Sequence, residues 1–445
     1  MESSLNQKFT FLSLIKYAIP SMISSIFMSF YSMVDGVFVS ILVNTDALSA
    51  VNIIYPVINI IIGLGLMLST GGSAMVAKKL GEQKFDEANK NFTMIISMGA
   101  ILGTILGVLG FVFRDTLVIL LGGESLYTYC IDYLTPLTFL APFFIINLLF
   151  QILLMTAGKP QVGLLLTVSG GIINIVLDYI FIVPMDMGIM GASLATGLGN
   201  SIPGIIALLY FLRGKEIIKF TKFKFNKKTL FEVCGNGSSE MVSNLSTGIT
   251  TLLYNLVMMK LLGADGVAAI TIVLYAQFFM TAVYMGYSSG VAPLISYNYG
   301  HKNIKELQNI IKYSYLFLIL ASLISLVATF LMRAPLVTIF APQESNVYNI
   351  AYDGLSIFGL SFIFTGINIF TSSMFTAFSN GRVSAIISFL RSFVFIVLGV
   401  ISLPMIIGVD GVWFAIVVAE MLSMLICLYY INKYKDVYEY RFKLC

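Results

Sequence analysis

Long apolar segments separated by short polar ones dominate this sequence. Apolar runs occupy 92–113, 139–154, 316–331 and 386–407. A run of about 18 or more apolar residues with few charges is typical of a helix that crosses a membrane. Coarse boundaries give twelve such spans, at 11–42, 47–77, 91–113, 127–157, 161–184, 188–212, 229–261, 266–299, 311–332, 346–378, 383–407 and 411–432. The pattern therefore predicts an all-α polytopic membrane protein with twelve transmembrane helices.

The composition supports this prediction. Of the 445 residues, 58% are hydrophobic and only 11% are charged, and the mean hydropathy is +0.92. A soluble protein would carry roughly 25% charged residues. Several spans are longer than the roughly 20 residues that cross a bilayer, so we expect them to tilt, kink or project from it.

The basic residues predict the orientation. If the N-terminus is cytoplasmic, all but three of the 26 Lys and Arg residues fall in inner segments or at inner helix ends, the exceptions being Arg114, Lys260 and Arg333. An excess of basic residues marks cytoplasmic loops. We therefore expect a multi-pass protein of the plasma (bacterial inner) membrane with both termini in the cytoplasm. The net charge of +4 follows from this orientation and does not indicate a nucleic-acid partner.

The two halves of the chain repeat each other. After a shift of about 220 positions, landmarks of the first half fall on the same residue types in the second: Pro184 on Pro404, Gly188 on Gly408, Gly191 on Gly411 and Ala195 on Ala415. Each half holds six spans, so both enter the membrane in the same orientation, as in transporters with parallel repeats. We expect two pseudo-symmetric six-helix lobes: an N-lobe (1–212), a cytoplasmic linker (213–228), a C-lobe (229–433) and a cytoplasmic tail (434–445).

Four polar residues of the first half have no polar counterpart of the same kind in the second. Asp35, Asn174, Asp178 and Thr196 fall on Tyr254, Val394, Leu398 and Ile416. A polar group that the fold itself required would recur in both copies, so this asymmetry indicates function.

The depths of these four residues agree. Asp35 lies roughly 36 Å along the first span and Asp178 roughly 25 Å along the fifth, while Thr196 lies roughly 12 Å from the outer end of the sixth. Asn174 precedes Asp178 by one helical turn and shares its face. All four are therefore expected in the outer half of the N-lobe. Their oxygens could bind a hard cation such as Na⁺, or the two carboxyls could share protons.

A structural role is the alternative for any acidic residue near a helix end. Asp46, Asp186, Asp265 and Asp410, in short outer loops, fit helix capping or pairing with a lysine. Asp178 and Asp35 differ, because an unpaired carboxylate at membrane depth costs on the order of 2.5–3.5 kcal/mol and marks a functional site by default. Asn174 and Thr196 could also bridge helices structurally.

Further polar and aromatic residues are candidates for the wall of a substrate cavity. The abundant Met and Phe residues, 22 and 35 in number, suit a plastic apolar cavity but also suit lipid contact. Whether the C-lobe carboxylates Glu240, Asp353 and Glu420 contribute is left open by the sequence. The candidates for the cavity wall are Asn147, Gln151, Glu240, Asn244, Tyr275, Gln277, Tyr284 and Asn368.

Several classes of function lack their sequence signals. There is no G-x-x-x-x-G-K-[ST] loop for nucleotide-driven pumping, and no H-E-x-x-H or G-x-S-x-G motif. The only histidine, His301, falls in a cytoplasmic loop, and the four cysteines have no metal or redox spacing. We therefore expect no enzyme and no cofactor, and an ion gradient as the energy source.

At this point the motifs resemble those of the multidrug and toxic compound extrusion (MATE) family, prokaryotic type. The resemblance covers essentially the whole chain. It rests on the repeat and on four segments: Ala18-Ile19-Pro20, Val34-Asp35-Gly36, Gly81-Glu-Gln-Lys-Phe-Asp-Glu-Ala88 and Gly188-x-x-Gly191-Ala-Ser-Leu-Ala195-Thr196.

The resemblance implies roles for individual residues. It assigns Asp35, Asn174, Asp178 and Thr196 to an N-lobe cation site, and it makes Pro20 a hinge in the first span. Another branch of the family uses a C-lobe glutamate in span seven and an aspartate in span ten. Here Glu240 stands too early in its span and Asp353 stands at the start of span ten, which argues against a C-lobe cation site of that kind.

Together these observations predict a secondary antiporter that exports amphipathic, mostly cationic organic compounds in exchange for H⁺ or Na⁺, and that works as a monomer within the lipid bilayer. The sequence does not choose between the two ions. The alternative is a lipid-linked oligosaccharide or lipid flippase of the same wider superfamily. That function would require several Arg or Lys in the cavity, whereas Arg391 is the main basic residue of the interior. An intramembrane enzyme or a receptor would need a catalytic set or a signalling domain.

Overall fold

The computed structural model describes residues 5–440, so the first four residues of the N-lobe and residues 441–445 of the tail lie outside the described part of the chain. The described part is built from helices. A bilayer favours this outcome, because a helix satisfies its backbone hydrogen bonds internally. The α-helices are α1 (Phe11–Phe38), α2 (Thr45–Gly81), α3 (Phe85–Val112), α4 (Arg114–Leu120), α5 (Tyr127–Thr156), α6 (Pro160–Ile182), α7 (Gly188–Leu212), α8 (Lys227–Gly300), α9 (Ile304–Phe340), α10 (Asn346–Phe358), α11 (Phe362–Ala377), α12 (Gly381–Phe389), α13 (Phe395–Ile407) and α14 (Val409–Tyr434).

These helices give the twelve predicted spans. Within residues 5–440, eleven helical segments are long and apolar enough to cross a membrane, and one of them is the 74-residue α8. Gly263 breaks α8 with φ 63° and ψ −148°, a conformation open only to glycine, and so divides it into arms 227–262 and 264–300. A 3₁₀ turn (Gly359–Ser361) joins α10 to α11, and a π-helical turn (Leu390–Val394) joins α12 to α13.

Several helices are longer than the spans expected from hydropathy. The ninth span was expected at 311–332, but α9 runs from Ile304 to Phe340; the third was expected from residue 91, but α3 begins at Phe85. A polar side chain starts the α9 extension, where the Asn303 side-chain oxygen accepts a hydrogen bond from the Glu306 N–H. Hydropathy reports only the apolar part of a helix, whereas the backbone continues as long as its hydrogen bonds and caps allow.

The repeat extends to the backbone of the turns. Gly188 and Gly408, which coincide in the repeat, both have positive φ, at 55° and 63°. Gln83 and Lys302, at equivalent ends of the second and eighth spans, also share positive φ, at 62° and 58°. The two halves therefore use the same turns to reverse direction.

Glycines bring the two lobes into backbone contact near the linker end of the helices. A Cβ atom added at Gly237 of α8 would lie 1.9 Å from the Met67 carbonyl oxygen of α2, and one at Gly71 would lie 2.0 Å from the Val233 carbonyl oxygen. In lipid, helices associate through this kind of close packing of small residues, because burial from water is not available as a driving force. The contact between α2 and α8 is thus the seam between the lobes.

We expect Gly237→Ala to lower the thermal unfolding temperature of the purified protein, because the added methyl group overlaps the α2 backbone. Gly235→Ala is the matched control two residues earlier. No atom lies within 4 Å of a Cβ added there, and alanine is favoured over glycine in a helix interior by about 0.8–1 kcal/mol. Equal unfolding temperatures for the two variants would contradict close packing at this seam.

Candidate functional site

Three helices of the N-lobe carry the four predicted cation-site residues. Asp35 lies near the end of α1, Asn174 and Asp178 lie one turn apart on α6, and Thr196 lies on α7. Glycines allow α6 and α7 to approach closely here: a Cβ added at Gly199 would lie 2.7 Å from the Asn174 Cβ. This packing directs the polar face of α6 toward α7.

The structure brings the four side chains together. The Asp35 carboxyl lies within interaction range of the Asp178, Asn174 and Thr196 side chains. Asp178 is fully buried and Asn174 is 2% exposed. The Tyr133 side chain of α5 lies within electrostatic range of both carboxyls. The set is therefore a buried cluster of oxygen-bearing groups inside one lobe.

Several buried polar atoms of this cluster make no hydrogen bond of good geometry with the described protein. Within residues 5–440, no hydrogen-bond partner is found for either carboxyl oxygen of Asp178, one oxygen of Asp35, both amide atoms of Asn174 or the Thr196 hydroxyl. No Lys or Arg of the described chain forms an ion pair with either aspartate. Buried polar groups in native proteins are nearly always paired. Unpaired atoms that converge from three helices are the feature expected of a site for a small ligand.

The chemistry of the cluster suits a cation. Two carboxyls that face each other without a basic partner repel when both are ionised, so they favour a bound proton or metal cation between them. The amide oxygen of Asn174 and the Thr196 hydroxyl would add two neutral oxygen ligands of the kind that Na⁺ accepts. The same geometry serves H⁺ and Na⁺.

The sequence analysis missed Asn200, which extends the cluster along α7. Its amide nitrogen donates to the Thr196 carbonyl oxygen at 2.9 Å, and its amide oxygen accepts from Asn147 Nδ2 of α5 at 3.3 Å. Tyr31 of α1 lies within interaction range of both Asn200 and Asp35. The spacing of Asn200 one turn after Thr196 would have placed it on the same helix face.

The structure shows the surroundings of each residue predicted for the cavity wall. Glu240 does line a cavity of about 30 Å³ between the lobes, with Thr70 and Ser73 of α2 and Ser289 of α8. The Asn244 amide turns back to the Glu240 carbonyl oxygen at 3.1 Å. Gln151 and Gln277 are half-buried.

Other members of the predicted set lie elsewhere. Tyr275 is 44% exposed and stacks on Phe340. Tyr284 and Asn368 are fully buried in the C-lobe. Pro20, which was predicted as a hinge, lies within the continuous helix α1. Since apolar spans present no clear polar face, the sequence could not show toward which neighbour each side chain turns.

Of the C-lobe carboxylates, Asp353 lies exposed on α10 and Glu420 lies buried at the centre of α14. The Glu420 carboxylate accepts from Arg391 Nε at 3.0 Å and from Asn368 Nδ2 at 2.7 Å. The acids Asp35 and Asp178 of the N-lobe are thus unpaired and Glu420 of the C-lobe is paired. Glu240 faces the cavity between the lobes without an ion pair among the described residues.

We expect Thr196→Val to raise the unfolding temperature measured without Na⁺ and to weaken any stabilisation by Na⁺ or protons. The substitution keeps the shape of the side chain and removes a buried hydroxyl without a partner, whose desolvation costs about 1–3 kcal/mol. Ser193→Ala on the same helix is the control, because the Ser193 hydroxyl donates to the Tyr133 carbonyl oxygen and its loss should destabilise. If both variants lower the unfolding temperature equally, the Thr196 hydroxyl has a structural role.

The chain is similar to a known protein family over most of its length. A family model, MatE, matches residues 20–180 and again residues 241–401. Two similar proteins are the multidrug export protein MepA of Staphylococcus saprophyticus, 25% identical over 436 residues, and MepA of Staphylococcus aureus, 24% identical over 442 residues. Each match covers 96% of this chain and 94% of the relative.

Solved structures share the fold. A crystal structure of MATE in complex with MaD3S superposes with a TM-score of 0.92 at 22% identity, covering 99% of this chain and 100% of that one. An outward-facing multidrug resistance MATE transporter gives 0.92 at 22% identity, with 99% of each chain covered. The predicted all-α architecture of two repeated lobes is confirmed.

The family match also confirms the expectation of a transporter rather than an enzyme, in a multi-pass membrane protein. The two matched segments fall one in each lobe, as the repeat predicts, and together they cover more than half of the chain. This protein belongs to the MatE family, the multidrug and toxic compound extrusion transporters.

Proposed function

We propose that this protein is a cation-coupled antiporter of the plasma membrane that exports amphipathic, mostly cationic organic compounds in exchange for H⁺ or Na⁺. The observation that carries the proposal is the cluster around Asp35 and Asp178, whose carboxyls hold the only buried carboxyl oxygens without a hydrogen-bond partner among residues 5–440. The relatives named multidrug export proteins support the substrate class. Both termini are placed in the cytoplasm, and the protein would act as a monomer.

Coupling requires that the cation prefer one conformation of the lobes over the other. The helix α1 offers a physical route, because it carries Asp35 near one end and contacts α8 of the C-lobe nearer the other. A Cβ added at Gly286 of α8 would lie 2.6 Å from the Met22 Cα of α1. A cation held between Asp35 and Asp178 would fix the outer part of α1 against α6 and so change how α1 packs on the opposite lobe.

The driving force is adequate. Moving one charge across 100 mV is worth roughly 2.3 kcal/mol, comparable to the cost of an unpaired carboxylate at membrane depth. In the proposed cycle, inward flow of the cation loads the N-lobe site, reshapes α1 and weakens drug binding on the outward-facing side. The lobes rock about the seam between α2 and α8, and Pro20 is the proposed hinge of α1.

The alternative, a flippase for lipid-linked oligosaccharides, fits the interior less well. Its pyrophosphate substrate would need free basic side chains in the cavity. The main interior candidate, Arg391, is bound to Glu420 in the C-lobe. Its charge is therefore compensated within the protein.

We expect purified protein in liposomes to move ethidium when either a pH gradient or a Na⁺ gradient is imposed, and the gradient that works identifies the coupling ion. Asp178→Asn should abolish this gradient-driven transport, because the neutral amide no longer attracts a cation. Asp353→Asn, which alters an exposed carboxylate of α10, is the control and should transport normally.

Normal transport by Asp178→Asn would refute a coupling role for the N-lobe cluster. No ethidium movement under either gradient in the wild type would favour the flippase, and fluorescent lipid-linked substrates would then be tested in the same liposomes.

A further inference from the structure

A second buried polar cluster lies within the C-lobe, outside the proposed cation site. It joins Arg391 of the π-helical turn, Asn368 of α11 and Glu420 of α14. Both carboxylate oxygens of Glu420 are engaged, one by Arg391 Nε at 3.0 Å and the other by Asn368 Nδ2 at 2.7 Å. The Glu420 side chain is 2% exposed and that of Arg391 is 18% exposed. Arg391 lies about 15 Å along its span from the linker end, so the pair is at membrane depth.

The N-lobe contains the uncharged version of the same arrangement. Asn147 Nδ2 donates to Asn200 Oδ1 at 3.3 Å, across 53 positions of the sequence. Asn368 Nδ2 donates to Glu420 Oε2 across 52 positions. Each bond joins the fourth span of its lobe to the sixth. The fold therefore uses an amide bridge at this place in both lobes, and a negative charge is present in only one.

The basic partner is also present in only one lobe. A shift of 220 or 221 positions places Arg391 on Gly171 or Gly170 of α6. Either residue lacks a side chain, and α6 is regular where the C-lobe span has its π-helical turn. The acid and the base thus occur together in the one lobe whose bridge is charged.

Arg391 carries a permanent charge and is part of the chain, which distinguishes it from an exchangeable ion such as H⁺ or Na⁺. A guanidinium stays protonated in proteins, and its bond to Glu420 cannot be exchanged with the solution on either side of the membrane. In the N-lobe, by contrast, Asp35 and Asp178 have no basic partner among the described residues. Asp35 and Asp178 are therefore open to a mobile cation, whereas Glu420 already has a fixed one.

We propose that Arg391 is a tethered counter-cation for Glu420: it occupies the place that an exchangeable H⁺ or Na⁺ would otherwise take in the C-lobe, and so confines ion coupling to the N-lobe. This inference rests on the cation-coupled transport proposed above. Arg391 is thus a residue that determines how many ions are coupled, and it acts through Glu420 rather than by contact with the substrate. The Arg391 guanidinium also lies within electrostatic range of Glu240, at the cavity between the lobes.

The test removes the tethered cation. In Arg391→Gln, Glu420 loses its counter-charge, and we expect it to bind one additional cation per chain. Binding of ²²Na⁺ to purified protein detects the cation if it is Na⁺. The infrared carbonyl band of a protonated carboxyl detects it if it is a proton. The unfolding temperature of the variant should also rise with Na⁺ or with falling pH, because a ligand that binds only the folded state stabilises it.

The double variant Arg391→Gln/Glu420→Gln is the matched control. It restores a neutral amide bridge to Asn368, like that between Asn147 and Asn200, and replacing both partners of a buried ion pair is often neutral where removing one is not. We expect it to fold, to transport like the wild type and to lack the additional cation. If Arg391→Gln does not fold in low salt, the inference requires that added Na⁺ or a lower pH restore its folding, because either supplies the missing counter-cation.

Two results would overturn the inference. One is a folded Arg391→Gln variant that binds no additional cation by either readout. The other is a double variant that is as impaired as Arg391→Gln, which would make the charge pair structural. Because the additional cation is counted at equilibrium, the measurement can be repeated in an Asp178→Asn background, where failure of the proposed N-lobe coupling would leave it intact.

Discussion

Inside a bilayer, a polar group has no water to bind, and this constraint shapes the whole molecule. It makes the backbone helical, and it forces buried side chains to bond to one another, as the Asn147 amide does with Asn200. A buried acid without a partner is therefore costly, and it marks a place where a bound ligand supplies the missing partner. Asp178, fully buried and with neither oxygen bonded within the described chain, is the clearest exception to pairing.

The same constraint decides how the lobes meet. Apolar side chains gain nothing by leaving lipid for one another, so helices hold together through backbone proximity and small residues. The seam between α2 and α8 follows this rule, since Gly71 and Gly237 each face a carbonyl oxygen of the opposite helix. Contacts of this kind depend on shape and carry no charge. They can separate and re-form as the lobes move without leaving an ion exposed to lipid.

The sequence predicted the number, order and repetition of the spans, because apolar runs and glycine landmarks are written directly in it. It did not predict where α9 or α3 would begin, since helices continue beyond the lipid-facing segment. The grouping of the four candidate cation-site residues was predictable from an asymmetry between two copies of one fold, as with Asp178 opposite Leu398. The partner of Glu420 was not, because the rotation of α12 and α14 about their axes leaves no trace in uniformly apolar spans.

The repeat also separates the features that both lobes share from those found in only one lobe. Both lobes keep an amide bridge between their fourth and sixth spans, so that bridge is structural. The charged groups differ between the lobes, since Asp35 and Asp178 of the N-lobe are unpaired and Glu420 of the C-lobe has Arg391 as its base. A transporter gains from this division. An ion acts on the balance between two conformations only if it binds one lobe arrangement better than the other. Under the proposed coupling, the bond between Arg391 and Glu420 leaves that preference to the cluster of Asp35 and Asp178.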